Sequence, residues 1–333
     1  MSSIADALVL LSEESDAEPA RLRKMTRMIK RDFKKKKWTK QTVSQLDVEW
    51  QWRIGQAMMT LGDMNWPFWE FRNIRDLNIP FEFPHWDGKE VDNLLIFGEQ
   101  GIGDEIMFMS CYPNVKAKRV TIECEPRLAE VFRDSFDARV VGRVDFADAS
   151  WVDEEYDAQV PMGELPVFFR RKREDFPGGP YLKPKPELVE KWKKKLPEGA
   201  VGVGWSGRQG YYPPEVLRED RPLVNLQYGP DYLETPRWMY TPRIDLTNDL
   251  TEVIALIAAL DKVVCVPTSI FHYAGALGVP CEVILAPRLS GKVNNALNWR
   301  FVHGCMWHNS VTVYKDINEW RNRHNTSRTG TRD

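Results

Sequence analysis

A chain of 333 residues, 43% hydrophobic and 28% charged, can bury a sizeable core and build two domains of ordinary size, which excludes a disordered or low-complexity polymer. Its formal net charge of −2 excludes an overall polycation, so affinity for nucleic acid or an anionic surface has to come from local basic patches. No apolar run approaches the roughly 18–20 residues that cross a bilayer, and Met1–Leu11 lacks the basic start and long apolar middle of a secretory signal. A cytoplasmic protein without a transmembrane segment is expected, with its five widely spaced cysteines reduced.

In chain order, residues 1–43 read as a charged arm whose sign changes from acidic (Glu13, Glu14, Asp16, Glu18) to basic, Asp32 being the one acid of Arg21–Lys40. Residues 44–85 read as a helical hairpin: Trp50, Ile54, Ala57, Met58 and Leu61 fall on one face, and a second aromatic helix follows the Gly62-Asp63 break. From there the chain alternates strand and helix signals, which implies parallel strands with crossover helices. A first unit, 86–185, starts on the apolar run Leu94–Phe97. After the Pro- and Gly-rich stretch Phe176–Pro186, a second unit, 186–310, holds strand Val201–Trp205, helix Leu250–Leu260, strand Val263–Val266, helix Ser269–Leu277 and strand Glu282–Leu285. Residues 311–333 are left as a tail. Two such sheets in sequence leave a cleft at the carboxyl ends of their strands, where ligands of open α/β sheets bind.

Three strand-to-helix corners carry the chemistry. The first, Gly98-Glu99-Gln100-Gly101-Ile102-Gly103-Asp104, lets backbone approach a ligand at Gly101 and Gly103; Asp104 is either a helix cap or a proton acceptor. The second, Trp205-Ser206-Gly207-Arg208, is followed by Arg218 and Arg221, arginines able to clamp a diphosphate or simply to pair at the surface. At the third, Thr268 and Ser269 cap a helix or hold a phosphate, and His272 lies one turn in. The run His303-Gly304-Cys305-Met306-Trp307-His308 fits no standard zinc spacing and is read as structural.

These strings, together with Leu226-Gln227-Tyr228-Gly229-Pro230 and Glu123-Cys124-Glu125-Pro126-Arg127-Leu128, resemble the bacterial glycosyltransferases that follow tetratricopeptide repeats and are related to the ADP-heptose lipopolysaccharide heptosyltransferases. The resemblance runs from about Ser44 to Trp299 and makes the 44–85 hairpin look like a last tetratricopeptide pair. It implies a GT-B fold of two Rossmann-like domains facing a cleft. It also implies a nucleotide-sugar co-substrate bound mainly by the C-terminal half, inversion at the anomeric carbon, and no obligatory metal or other cofactor. Asp104 is then the base that deprotonates the acceptor hydroxyl, Thr268 and Ser269 stabilise the leaving diphosphate, and Gln227 lies near the nucleotide. One departure stands out: relatives usually carry aspartate where this chain has Pro267. The acceptor is expected to be a saccharide or glycoconjugate. The basic stretches Arg21–Lys40, Arg170–Arg173 and Lys191–Lys195 leave room for a polyanionic acceptor, DNA included. A non-catalytic nucleotide-sugar binder, or a scaffold that recruits a partner through the hairpin and arm, are the other readings.

Overall fold

A computed structural model describes residues 31, 81–98, 101–145, 148–207, 210–229, 235–285 and 304–329. The charged arm and the helical hairpin, with Trp50, Trp52, Trp66 and Trp69, therefore lie outside the described residues, apart from Arg31 and 81–85.

Two parallel sheets organise the chain. In the first, β1 (Val91–Phe97) is flanked by β2 (Ala117–Cys124) and β4 (Ala158–Pro161), with β3 (Arg139–Gly142) outside β2. Leu94 stands opposite both Val120 and Ala158, and Leu94, Leu95 and Ile96 have no exposed surface. Burial on both faces is what an uninterrupted apolar run requires of a parallel strand. Helices α1 (Ile102–Met109), α2 (Ala129–Ser135) and α3 (Leu165–Phe169) belong to this half.

The second half opens with helix α4 (Pro186–Lys195), started by Pro186 in its first turn. Its sheet runs β11-β10-β9-β5-β8, with β5 Val201–Gly204, β8 Leu223–Asn225, β9 Lys262–Cys265, β10 Cys281–Ile284 and β11 Val311–Tyr314. The short pair β6 (Ser206–Gly207) and β7 (Gly210–Tyr211) stands apart from it. Asp249 caps α5 (Leu250–Ala258) by accepting the Glu252 N–H at 3.2 Å, and Thr268 caps α6 (Ser269–Leu277). The 311–333 segment is more than a tail. Val311–Tyr314 pairs with β10, and α7 (Ile317–Thr329) is pinned to the sheet by Trp320, whose indole N–H donates to Glu282 at 2.8 Å.

One apolar core runs through both halves, from Trp86, Leu94 and Ile106 to Leu256, Phe271 and Trp307. The connection through Pro177–Lys185 is tied to both. Tyr181 and Leu182 donate to the Ala276 carbonyl, Lys183 donates to Ser135 Oγ, and the Tyr181 hydroxyl donates to the Ile106 carbonyl at 2.8 Å. Helices α1 and α6 pack against each other. The five cysteines are free thiols.

Candidate functional site

At the first corner, the N–H groups of Asp104 and Glu105 close the first turn of α1 onto the Gly101 carbonyl, at 2.8 and 3.0 Å. This leaves Asp104 half-buried in the turn, where the helix dipole favours a carboxylate. Directly beneath lies a buried charge cluster. Arg143 donates to the Gly98 carbonyl (2.7 Å), to Glu105 (2.6 Å) and to Glu123 (3.2 Å), while Glu123 accepts the Gly98 N–H and Glu105 accepts the Glu125 N–H. Two carboxylates face one guanidinium, and burial pushes both Glu105 and Glu123 up to about 7 against the pull of Arg143. Sequence reasoning passed over Glu105 and Arg143 and quoted Glu123 only within a resembling string; the available signal was Glu123, a charge in Val120–Cys124, the buried part of β2.

The second corner is built differently. Trp205 is fully buried on the same face of β5 as Val201 and Val203, among Val264, Val266 and Ile284, so its side chain is part of the core. Gln227 lines a cavity that adjoins the third corner, and has a structural task as well. Its Oε1 accepts the N–H groups of Trp205 (3.0 Å) and Ser206 (2.8 Å), and its Nε2 donates to the carbonyls of Ser206 (3.1 Å) and Tyr228 (3.0 Å). The carboxamide thus brackets the loop at the edge of that cavity.

The third corner meets both others. A Cβ on Gly207 would lie 2.5 Å from Thr268 Cγ2; one on Gly103 would lie 3.0 Å from His272 Cδ2 and 3.4 Å from Ser269 Cα. A side chain at 103 would push the start of α6 back by a few tenths of an ångström, so glycine keeps the two helix starts close. Thr268 Oγ1 accepts the Ile270 N–H at 3.3 Å, and Ser269 Oγ is 3.2 Å from the Tyr228 hydroxyl. Tyr228 in turn lines a cavity of about 470 Å³ together with Asn225, Ile244, Asp245 and Thr247, within the size range of small-ligand sites. The rim of that cavity is anchored to the first half by Arg127, which grips Glu125 in bidentate fashion (2.8 and 2.9 Å) and donates to the Thr247 carbonyl (3.0 Å).

Gly101, Gly103, Asp104, Ser206, Gly207, Thr268, Ser269 and His272 are therefore gathered around one junction. Arg221 is not. Arg221 precedes β8 and pairs with Asp261, which precedes β9, at 2.7 Å; in parallel strands this is the amino edge, opposite the corners. Arg218 lies 5.1 Å over the ring of Trp238. Arg208 is outside the described residues. The cationic surface expected near 170–195 also shrinks. Arg170 is buried, donating to Ser110 and Phe169 carbonyls and to Asn114, while Lys191 pairs with Glu252 and Lys193 with Glu190.

Among solved structures, the chain is similar to a family 9 glycosyl transferase from Veillonella parvula, with a TM-score of 0.50 at 9% identity over 73% of this chain and 91% of that one. It has the fold of a family 9 glycosyltransferase. The E. coli ADP-heptose lps heptosyltransferase II aligns with a TM-score of 0.48 at 11% identity, over 70% of this chain and 98% of that one. In sequence, the chain is 30% identical over 246 residues to Protein FlbA of Caulobacter vibrioides, a match that takes in 60% of this chain. It spans about 41% of the length of that curated relative. No family model matches the chain. Among the described residues, no helix is long and apolar enough to cross a membrane, and no three His, Cys, Asp or Glu side chains converge to hold a metal ion.

Proposed function

We propose that this chain is a glycosyltransferase whose nucleotide-sugar donor lies with its nucleoside in the 470 Å³ cavity and its diphosphate at the start of α6. One observation carries the reading: Tyr228 lines the cavity and is hydrogen-bonded to Ser269, and Ser269 abuts Gly103, the residue before Asp104. Cavity, helix start and candidate base thus form a continuous path. Thr268, Ser269 and the amino end of α6 supply hydroxyl donors and positive potential for a leaving diphosphate without calling on a metal. Asp104 takes the proton from an acceptor hydroxyl as its oxygen attacks the anomeric carbon from the face opposite the leaving group, inverting that centre. The acceptor is a saccharide or glycoconjugate hydroxyl, in line with the fold's resemblance. Pro267, buried where an aspartate is usual in the resembling sequences, favours a second reading, a nucleotide-sugar binder without turnover.

A screen of nucleotide sugars by calorimetry, followed by assay of donor hydrolysis and transfer, separates the two: the enzyme releases nucleoside diphosphate, the binder only binds. In the enzyme, Asp104→Asn should lower transfer by roughly 10²–10⁴-fold while donor affinity stays within a few-fold, because the base acts on the acceptor's proton. Near-full turnover in that variant removes Asp104 from the chemistry.

A further inference from the structure

Arg127 stands at the carboxyl edge of the first sheet and reaches into the second half. It follows β2 in the single turn Pro126–Leu128, and its neighbour Glu125 is fastened to α1, since the Glu125 N–H donates to Glu105 at 2.8 Å. Arg127 Nε and Nη2 donate to the two Glu125 oxygens, at 2.8 and 2.9 Å. Its Nη1 crosses to the carbonyl of Thr247, one of the residues that line the cavity, at 3.0 Å. A guanidinium carries five N–H groups, so these bonds leave one N–H on Nη1 and one on Nη2 without a partner among the described residues.

The surroundings say what those two donors can meet. The guanidinium interacts electrostatically with the hydroxyls of Tyr228 and Tyr273. Tyr228 lines the cavity and its hydroxyl lies 3.2 Å from Ser269 Oγ, so Arg127 stands beside the step from the cavity to the start of α6. Asp245, the acid in the cavity wall, is committed to its own turn: it accepts the N–H groups of Thr247 and Asn248 at 2.9 and 3.0 Å and the Asn248 side-chain amide at 2.8 Å. Glu125 occupies one side of the guanidinium and fixes the direction of the rest. An arginine pre-oriented in this way loses little further freedom on binding, and its remaining donors suit an anion with several acceptor oxygens.

We propose that Arg127, a residue of the first half, binds the diphosphate of the nucleotide-sugar donor through its two remaining N–H groups, so that both halves of the chain hold the donor. The proposal rests on the proposed function, which puts the donor in the cavity and at the start of α6.

Calorimetric titration of the full chain with ADP and UDP, and competition by adenosine and uridine, separate a phosphate contact from a structural one. In Arg127→Met the affinity for the diphosphate should fall roughly tenfold or more, through lost hydrogen bonds to a charged group, while the matching nucleoside stays within about twofold. Arg127→Lys keeps the charge without the planar fork and should fall between Met and wild type; should Arg127→Met fail to fold, a diphosphate-selective loss in the Lys variant decides. Equal losses for nucleoside and diphosphate would show that Arg127 only shapes the rim, and unchanged affinities would show no contact. Either result overturns the proposal and leaves the proposed function standing. A wild-type chain that binds neither ADP nor UDP overturns both.

Discussion

The two helix starts that meet at Gly103 and Ser269 are held by opposite kinds of chemistry. Behind α1 stands an ionic lock, Arg143 between Glu105 and Glu123; behind α6 and its neighbouring corner stand a carboxamide and two imidazoles, Gln227 bracketing Ser206 and His308 against His272. An ionic lock is strong only while its charge count is right, and here two acids face one base. A carboxamide bracket has no such dependence. The helix start carrying the candidate base is thus backed by groups that respond to protons, and the corner beside the candidate phosphate site is bracketed by one that does not.

The largest effect should come from taking the cation out of the lock. Arg143→Met leaves two buried carboxylates without a counter-charge and the Gly98 carbonyl without its donor, and should cost about 3–5 kcal/mol in urea unfolding. A loss under about 1 kcal/mol would mean that the cluster is solvated and the contrast false.

The proton dependence sharpens the same point. Because burial raises Glu105 and Glu123 from 4.5 to about 7, the folded chain binds more protons than the unfolded one between those values. Their contribution to stability is full below about pH 4.5 and is lost as pH rises through about 7. Glu123→Gln removes one of the two, so the difference in unfolding free energy between variant and wild type should move in the variant's favour from pH 5 to pH 8. A difference that is flat with pH would show the cluster already ionised.

On the other side, Gln227→Leu strips the bracket from Trp205 and Ser206 and should cost about 2–3 kcal/mol, through backbone N–H groups left unsatisfied. The cost should be equal at pH 5 and pH 8. A pH-dependent loss would break the comparison.

How much of this was legible follows from what a sequence encodes locally. The apolar runs and helix caps were readable: Leu94–Phe97 falls within β1, Ser269–Leu277 is α6, and Leu250–Leu260 covers α5. The three corners were readable too, because glycine and hydroxyl residues after a strand mark a close backbone approach. Charged groups were not, since pairing is set by the sheet: Arg143 reaches Glu105 across 38 residues, and a lone acid in a sequence reads as solvated. Strand parity could have turned Trp205 inward with Val201 and Val203. Parallel order could likewise have put Arg221 at the amino edge of the sheet, since it precedes its strand.

The central claim is that the start of α6, together with the cavity that opens on it, holds a nucleoside diphosphate. Calorimetric titration of wild type, of Thr268→Val with Ser269→Ala, and of Arg221→Ala with ADP and UDP tests it most directly. The double variant should lose on the order of 1.5–3 kcal/mol for each hydroxyl contact to the charged ligand. Arg221→Ala, altered at the opposite sheet edge, should bind as the wild type does. Unchanged affinity in the double variant, or a loss confined to Arg221→Ala, would contradict the account.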